Sequence, residues 1–275
     1  MNATRRGRWT GGLALLIGAV IVLFPYYWLA VMATNTTAEI YSTPPKLWFG
    51  SHLFENLSAV FAKIDFFGSL LNTVIVAVAT TILVLFFDSL AAFTFAKYKF
   101  PGAGLLFNIL LATFVVPTQL AAIPQFSIMA AFGWVGDLKA LIVPAAANAF
   151  GIFWMRQYCR SAIPDELLEA AKVDGAGFFR TYWSVALPVL RPALAFLGIF
   201  TFVNAWNDYL WPLIVMVDSR NVTLQVALNQ LNAVYGTDYS QVMAGTLVAV
   251  IPLLVVFLFG ARHFIRNIAA GAVKG

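Results

Sequence analysis

Long apolar runs alternate with short polar segments along this chain, and the lengths of these runs predict its architecture. A hydrocarbon core about 30 Å thick is crossed by roughly 20 consecutive apolar residues in a helix. The pattern predicts six membrane-spanning helices, at residues 11–33, 69–95, 104–131, 138–158, 188–217 and 240–262.

The composition agrees with a polytopic membrane protein. Of 275 residues, 61% are hydrophobic and 11% are charged, whereas a soluble domain has about 25% charged residues. We therefore expect a single all-α membrane domain over residues 1–275. The net charge of +5 does not indicate nucleic-acid binding, because the basic residues fall between apolar runs instead of forming one patch.

The beginning of the chain resembles a secretory signal, since three arginines at positions 5, 6 and 8 precede the first apolar run. That run is longer than a signal peptide requires, and it ends at residues 24–28 without a cleavage site of small residues. The pattern favours a retained span.

The positions of lysine and arginine predict the orientation in the membrane. With the N-terminus inside, 13 of the 17 lysines and arginines lie in inner segments and the other 4 (Lys46, Lys63, Lys139 and Arg220) in outer ones. Because positive residues concentrate on the cytoplasmic side, both termini, the tail 263–275 and the polar segment 164–187 are predicted to be cytoplasmic.

Residues that could carry chemistry are few. The single cysteine, Cys159, excludes a cysteine-cluster metal site, and His52 and His263 are far apart in sequence. No phosphate-binding loop is present, so the chain should not hydrolyse ATP alone. We predict no catalytic residue, no metal site and no cofactor in this chain.

The polar segment 164–187 has the residues of a helix, a tight turn and a second helix. Pro164 suits the first helical turn, and acidic side chains favour its positive end: Asp165, Glu166 and Glu169. Residues 174–177 have turn chemistry. The second helix, at about 178–185, is predicted to end before residue 187, and the whole unit should lie outside the bilayer.

This segment resembles the EAA motif of permease subunits in bacterial ABC importers. The matching positions are Glu169, Ala170, Ala171, Asp174, Gly175, Ala176, Leu187 and Pro188. The resemblance implies that these residues couple the chain to an ATP-hydrolysing subunit, which would bind ATP and Mg²⁺ itself.

Two further segments resemble the carbohydrate branch of that family, the MalG-type permease subunits. Residues 204–213 are similar to its fifth-span signature, and residues 270–275 to its tail, which in that family reaches the ATPase interface. The resemblance implies a subunit of the bacterial inner membrane. Its partners would be a second, homologous permease subunit, an ATPase dimer and an extracytoplasmic solute-binding protein.

Polar side chains within the fifth span could face a sugar. Asn204, Asn207 and Asp208 follow a spacing that aligns them on one helical face, and Trp206 and Trp211 lie nearby. Amides and carboxylates bond hydroxyl groups, and aromatic faces stack on pyranose rings. Hydrogen bonding between helices would equally explain these residues. Four weaker sites for solute contact are Asn72, Gln119, Gln125 and Asn148.

Other functions remain open at this point. The motif does not separate sugar importers from importers of glycerophosphodiesters or other solutes. An ion-coupled secondary transporter would often have an inverted repeat, and no repeat is visible in this sequence. A membrane enzyme would require a cluster of catalytic side chains, which the sequence does not indicate.

Overall fold

The computed structural model describes residues 2–217, 221–232 and 237–272. Every regular element in these residues is a helix, which confirms the predicted all-α class. The α-helices, in chain order, are α1 (Asn2–Thr34), α2 (Thr37–Ile40), α3 (Leu53–Lys63), α4 (Phe66–Lys97), α5 (Ala103–Val115), α6 (Ala122–Ala131), α7 (Lys139–Ile142), α8 (Ala149–Ala162), α9 (Asp165–Val173), α10 (Phe178–Thr181), α11 (Leu187–Asn207), α12 (Leu210–Val215), α13 (Leu224–Asn229) and α14 (Tyr239–Ala272). A 3₁₀ turn (Thr118–Ala121) precedes α6, and a π-helical turn (Tyr182–Ala186) joins α10 to α11.

Several helices are long and apolar enough to cross a bilayer. Within the described residues four reach that length, Gly11–Thr34, Phe66–Lys97, Phe178–Asn207 and Tyr239–Phe259. A bent pair of shorter helices raises the number to 5 if it counts as one broken span. A polytopic membrane chain is thus confirmed, and the number of six spans remains a prediction.

The predicted span at 104–131 is bent. Its two halves, Ala103–Val115 and Gln119–Ala131, meet at 93°. Pro117 lies between them, and proline removes a backbone donor and disfavours helical geometry in the residue before it. Val116 is accordingly extended, with φ −75° and ψ 122°.

The prediction of one continuous helix at 138–158 is wrong. The four-residue α7 ends at Ile142, and α8 begins only at Ala149. Pro144 lies in the gap, and Asn148 adopts an extended conformation there. The Asn148 side chain caps α8 by accepting a hydrogen bond of 2.8 Å from the backbone N of Gly151.

The predicted boundary between the polar segment and the fifth span is also wrong. The helix that starts at Phe178 does not end before Leu187 but continues through the π-helical turn to Asn207. Pro188 lies just after the π-helical turn within this continuous helix. At the other end, Asp208 is extended (φ −65°, ψ 124°), and the short α12 follows.

The chain divides into two compact units, Met1–Phe66 with Ala227–Ile251, and Phe67–Val226 with Pro252–Gly275. In the first unit, the buried Asn56 joins three helices. Its Nδ2 donates to the carbonyl oxygens of Ala33 (2.9 Å) and Asn35 (3.0 Å) at the end of α1. Its Oδ1 accepts from the Ser240 hydroxyl on α14 at 3.1 Å.

A carboxylate lies just before α14 in the same unit. Burial raises the pKa of Asp238, but hydrogen bonds from the side chains of Ser240 and Thr37 and from the backbone lower it by more. The net pKa lies below the ordinary aspartate value, so Asp238 is ionised at neutral pH. A negative charge at this position stabilises the N-terminal end of α14.

The core of the second unit is a set of buried apolar side chains from α4, α8, α9, the π-helical turn and α11. Its members are Val84, Ala92, Phe93, Met155, Cys159, Ile163, Leu168, Tyr182, Ala186, Leu190, Ala193 and Leu197. Residues of the polar segment, Leu168 and Tyr182, therefore belong to the same core as the long helices.

We expect Asn56→Ala to destabilise the protein, because it leaves the carbonyl groups of Ala33 and Asn35 buried without their donor. Each such orphaned group costs about 1–3 kcal/mol. The thermal unfolding midpoint of the detergent-solubilised protein should fall. Asn232→Ala is the matched control, since its amide is exposed and bonds only the nearby Asn229 carbonyl. Equal midpoints for the two variants would contradict this role of Asn56.

Candidate functional site

The helix α9 lies within the predicted polar segment but begins one residue later than predicted. Pro164 is the N-cap residue, not part of the first turn, and the first turn holds Asp165 and Glu166. Leu168 and Ala171 are buried against the rest of the unit, whereas Glu169 and Ala170 are exposed. Most of the α9 surface, including Glu169 and Ala170, is therefore exposed.

A glycine turn ends α9. Gly175 has φ +70°, a left-handed conformation that L side chains adopt only with strain. The backbone N of Ala176 bonds the carbonyl of Ala171 at 2.9 Å, and that of Gly175 bonds Lys172 at 3.0 Å. This pair of bonds is a Schellman motif. It directs the chain back into α10, so a helix, a tight turn and a second helix are present.

An ion pair ties α9 to the end of α4. Lys97 Nζ lies 2.7 Å from Asp165 Oδ1, and the Lys97 side chain is only 7% exposed. The hydrogen bond from Lys97 holds the pKa of Asp165 below its ordinary value. The charge on Asp165 therefore persists at neutral pH, where it anchors the polar segment to a membrane helix.

The aromatic side chains of the polar segment divide into two groups. Tyr182 is buried and Phe178 is half-buried, and both rings lie 5.8 Å from the ring of Phe93 on α4. Phe179 and Trp183 are instead exposed, at 62% and 52%. Of the motif residues near the end of the segment, Leu187 is half-buried and Pro188 is exposed, and both lie in α11.

A cavity of about 850 Å³ lies among α4, α5, α6, α7, α8, α11 and α12. Its wall is mainly apolar, with aromatic rings from Phe114, Phe150, Phe200 and Trp211. The polar side chains in the wall are Thr80, Gln119, Gln125, Asn148, Thr201, Asn204 and Asp208. None of the described residues that line it is lysine or arginine.

Two of the four residues predicted to face a solute line this cavity. Asn204 lines it while its Nδ2 donates to the Phe200 carbonyl at 2.8 Å. Asp208 also lines it, but from beyond the end of α11, so the predicted single helical face of Asn204, Asn207 and Asp208 is wrong. The Asp208 carboxylate accepts from the backbone N–H groups of Tyr209 and Trp211.

The other two predicted residues are not among those that line the cavity. Trp206 is 1% exposed, and its ring stacks on that of Phe202 at 5.6 Å. Asn207 is exposed, and its Nδ2 donates to the Val203 carbonyl at 2.8 Å.

Among the weaker candidates, Gln119, Gln125 and Asn148 line the cavity. Asn72 instead donates to the Asn221 side chain at 3.1 Å. Trp211, which the sequence analysis places near these residues, also lines the cavity, and its Nε1 donates to the Ala140 carbonyl at 2.9 Å.

Asp88, near the middle of α4, faces protein, as we expect of a charge within a span. It is fully buried, and its Oδ1 accepts from the backbone N of Asn148 at 3.1 Å. Gly151 lies so close that a Cβ there would collide with the carboxylate. The carboxylate therefore holds the start of α8 at the edge of the cavity.

Fold and site together define a helical membrane subunit of a transporter. The family described as "Binding-protein-dependent transport system inner membrane component" matches residues 88–269, and the chain belongs to this family. The protein is thus a permease subunit of an ABC importer. The tail predicted to contact an ATPase continues α14 to Ala272, and residues 273–275 lie outside the described part of the chain.

Relatives of known role agree. The chain is 34% identical to the lactose transport system permease protein LacG of Rhizobium radiobacter, over 94% of both chains. It is 32% identical to the sn-glycerol-3-phosphate permease protein UgpE of Yersinia pestis bv. Antiqua (strain Antiqua), over 92% of this chain and 93% of that one. A crystal structure of a bacterial ABC transporter that imports alginate has the same fold, with a TM-score of 0.79, 23% identity and coverage of 96% of this chain and 98% of that one.

We expect Gly151→Ala to destabilise the protein, because the new methyl group collides with the Asp88 carboxylate and lies 3.3 Å from Leu197 Cδ1. Overpacking of this kind costs about 1–3 kcal/mol. Gly198→Ala is the control, since its Cβ would meet Leu85 Cδ1 at an ordinary 3.4 Å. Thermal unfolding of both variants measures the difference, and a stable Gly151→Ala protein would show that Asp88 is free to move away.

Proposed function

We propose that this chain forms half of the translocation pathway of an ABC importer for a sugar or oligosaccharide, and that residues 164–187 dock on the partner ATPase. The observation that carries the proposal is the continuity of one helix. Phe178–Asn207 continues from the polar segment through a π-helical turn to the cavity wall, where it contributes Thr201 and Asn204. A displacement of the segment would therefore move the wall directly.

The exposed face of the polar segment supports docking. Glu169, Ala170, Asp174 and Gly175 are open to solvent, and Val173 is 89% exposed. Together, Ala170, the turn at Gly175 and the exposed Val173 form a shallow surface that another protein can approach closely. ATP binding by the ATPase would shift this surface, and Lys97 and the shared core would carry the shift into the membrane helices.

The other partners of this chain in the importer are those that its family implies. A second, homologous permease subunit would close the other half of the pathway. A solute-binding protein would deliver solute from outside, and the ATPase dimer would hold ATP and Mg²⁺. Each of these partners is proposed from the family, in which transport depends on a binding protein.

We propose six spans with both termini in the cytoplasm. Four long helices and the bent pair account for five, and α7 with α8 would form the sixth as a broken span. Such interruptions are tolerated in a membrane only where the backbone is buried in protein or lines a water-filled cavity, and residues 144–148 do line the cavity, apart from Ala146. The positive-inside count supports the orientation.

The chemistry of the cavity favours a neutral sugar. Its wall offers amide groups, the Asp208 carboxylate and four aromatic rings, which suit hydroxyl groups and pyranose faces. Relatives named for lactose and, in Bacillus subtilis (strain 168) at 28% identity, for arabinooligosaccharides support this class. The relative named for sn-glycerol-3-phosphate favours the second candidate, but an anionic solute would meet Asp208 and no lysine or arginine among the described lining residues.

We expect Gly175→Asp to abolish transport while leaving membrane insertion intact. The residue has φ +70° and open space around it, so a side chain costs only about 1–2 kcal/mol of backbone strain but fills the surface proposed for docking. The measurement is uptake by membrane vesicles containing the complete importer, together with the amount of ATPase that co-purifies.

Gly102→Asp is the matched control for this substitution, because Gly102 has φ +80° and open space as well but lies outside the polar segment. It should transport normally. Normal uptake and ATPase stimulation in the Gly175→Asp complex would refute the docking role. Uptake by the purified chain alone, driven by an ion gradient, would refute the whole proposal.

We expect Asp208→Asn to raise the half-saturating solute concentration without releasing the ATPase. The amide oxygen can still accept the hydrogen bonds at the start of α12, but a charge-assisted bond to a hydroxyl becomes neutral, a loss of about 1.4 kcal/mol or roughly tenfold. Uptake of lactose, arabino-oligosaccharides and sn-glycerol-3-phosphate measures this change and the solute class.

Asn207→Ala serves as the control for Asp208, since its side chain is next along the chain but is not among those lining the cavity. It should leave the half-saturating concentration unchanged. An Asp208→Asn protein with unaltered solute dependence would show that the carboxylate only caps α12. Preferred uptake of the phosphate ester would favour the second candidate function.

A further inference from the structure

Two neighbouring polar residues on α4 contact two different functional parts of the second unit. We infer that Asp88 and Ser89 form a coupling pair, which positions the cavity wall and the polar segment against the same turn of α4. This inference rests on the proposed function, since it says how movement of the docking segment reaches the cavity.

Asp88 provides the contact to the cavity wall. Its Oδ1 accepts from the backbone N of Asn148, and Asn148 itself lines the cavity and caps α8. Its Oδ2 is buried without a hydrogen-bond partner among the described residues. A buried polar group that is incompletely satisfied is costly, so packing alone would be served better by an apolar side chain. This residue therefore calls for a functional explanation.

Ser89 provides the contact to the polar segment. Its hydroxyl lies 2.7 Å from that of Tyr182, and both residues are buried. The Ser89 hydroxyl also donates to the Leu85 carbonyl of its own helix. Because a hydroxyl carries one proton, Tyr182 donates to Ser89 whenever Ser89 donates to the Leu85 carbonyl, and either hydroxyl can be the donor in this contact.

The position of Tyr182 is favourable for such a contact. It opens the π-helical turn between α10 and α11, and π-bulges occur frequently at functional sites. Its ring lies 5.8 Å from that of Phe93, one turn further along α4. The hydrogen bond therefore joins α4 to the segment where regular helical geometry is interrupted.

Side-chain hydrogen bonds attach α4 to its neighbours at two levels. Near the end of α4, Lys97 bonds Asp165 on α9, and Arg156 Nε on α8 donates to the Phe95 carbonyl at 3.2 Å. About two turns earlier, Ser89 contacts Tyr182 and Asp88 contacts Asn148. If the polar segment moves, α4 and the start of α8 must move with it, or the bonds must break. Either outcome alters the cavity wall at Asn148.

A cysteine reporter in the cavity wall tests the inference without knowledge of the solute. Ala147→Cys lies beside Asn148 in the lining and is exposed. It is introduced with Cys159→Ala, which removes the chain's single native cysteine. The rate of labelling by a small maleimide is measured on the complete importer in nanodiscs, with and without ATP plus vanadate, and is normalised to the amount of trapped nucleotide.

In the reporter complex we expect ATP plus vanadate to change the labelling rate several-fold. Ser89→Ala, Tyr182→Phe and Asp88→Ala should each remove most of that response at equal nucleotide trapping. The double variant Ser89→Ala with Tyr182→Phe should match the single variants, because both remove the same hydrogen bond. If the complex with Asp88→Ala does not assemble, Tyr182→Phe still tests the inference, because it deletes only one oxygen atom.

Two substitutions serve as controls. Tyr98→Phe is matched to Tyr182→Phe, since its ring also contacts that of Phe93, edge to face at 5.4 Å, but its hydroxyl makes no hydrogen bond in the described part of the chain. Thr94→Val removes an α4 hydroxyl that bonds only the Leu90 carbonyl of its own helix. Both should respond as the reporter complex does.

Three outcomes would overturn the inference. A full response in Ser89→Ala and Tyr182→Phe would show that the contact transmits nothing. An equal loss in Tyr98→Phe would show that any change in this core has the same effect. A reporter that does not respond to ATP in the otherwise unaltered complex would overturn the proposed coupling to an ATPase, and the inference with it.

Discussion

The absence of water from a bilayer is the constraint on which the rest of this structure depends. Every backbone N–H and C=O group in hydrocarbon must be paired, so helices can be interrupted only where protein or a water-filled cavity meets the break. Three interruptions of the second unit, after Val115, between Ile142 and Ala149, and after Asn207, all place residues in the wall of one cavity. The polar groups that a solute would meet, Gln119, Asn148 and Asp208, come from these breaks or lie next to them.

The same constraint bears on the proposed coupling between the polar segment and the cavity. A long helix transmits displacement along its axis, and Phe178–Asn207 is one helix from the glycine turn to the wall, with a π-helical turn near its start. The part of this helix from Tyr182 to Leu197 shares a core with α4 and α8. A movement of this part would therefore be coupled to a movement of those two helices. Hydrogen bonds of Lys97, Ser89 and Asp88 join α4 to α9, to the π-helical turn and to the start of α8, respectively.

Parts of the site could be predicted from the sequence because their chemistry is local. The acidic first turn of α9 and the glycine turn at Gly175 follow from charge and backbone preferences within a few residues. Pro117 and Pro144 marked two of the breaks, but Pro252 lies inside an unbroken α14, so proline alone does not decide where a helix ends. Trp206 and Asn207 are not among the residues that line the cavity. The helical spacing assumed for Asn204, Asn207 and Asp208 does not hold, because the helix ends at Asn207 and Asp208 is extended.

By itself, the sequence determined that the chain is helical and membrane-embedded, that it has a charged helix–turn–helix segment, and that it has no phosphate-binding loop of its own. Run length, charge and turn residues act over short distances, so they can be read along the chain. Only the tertiary structure decided which polar residues share a cavity, that the segment and the wall belong to one helix, and that Asp88 and Ser89 connect them. Those facts depend on residues about 60 and 93 positions apart, which come together only when the helices pack.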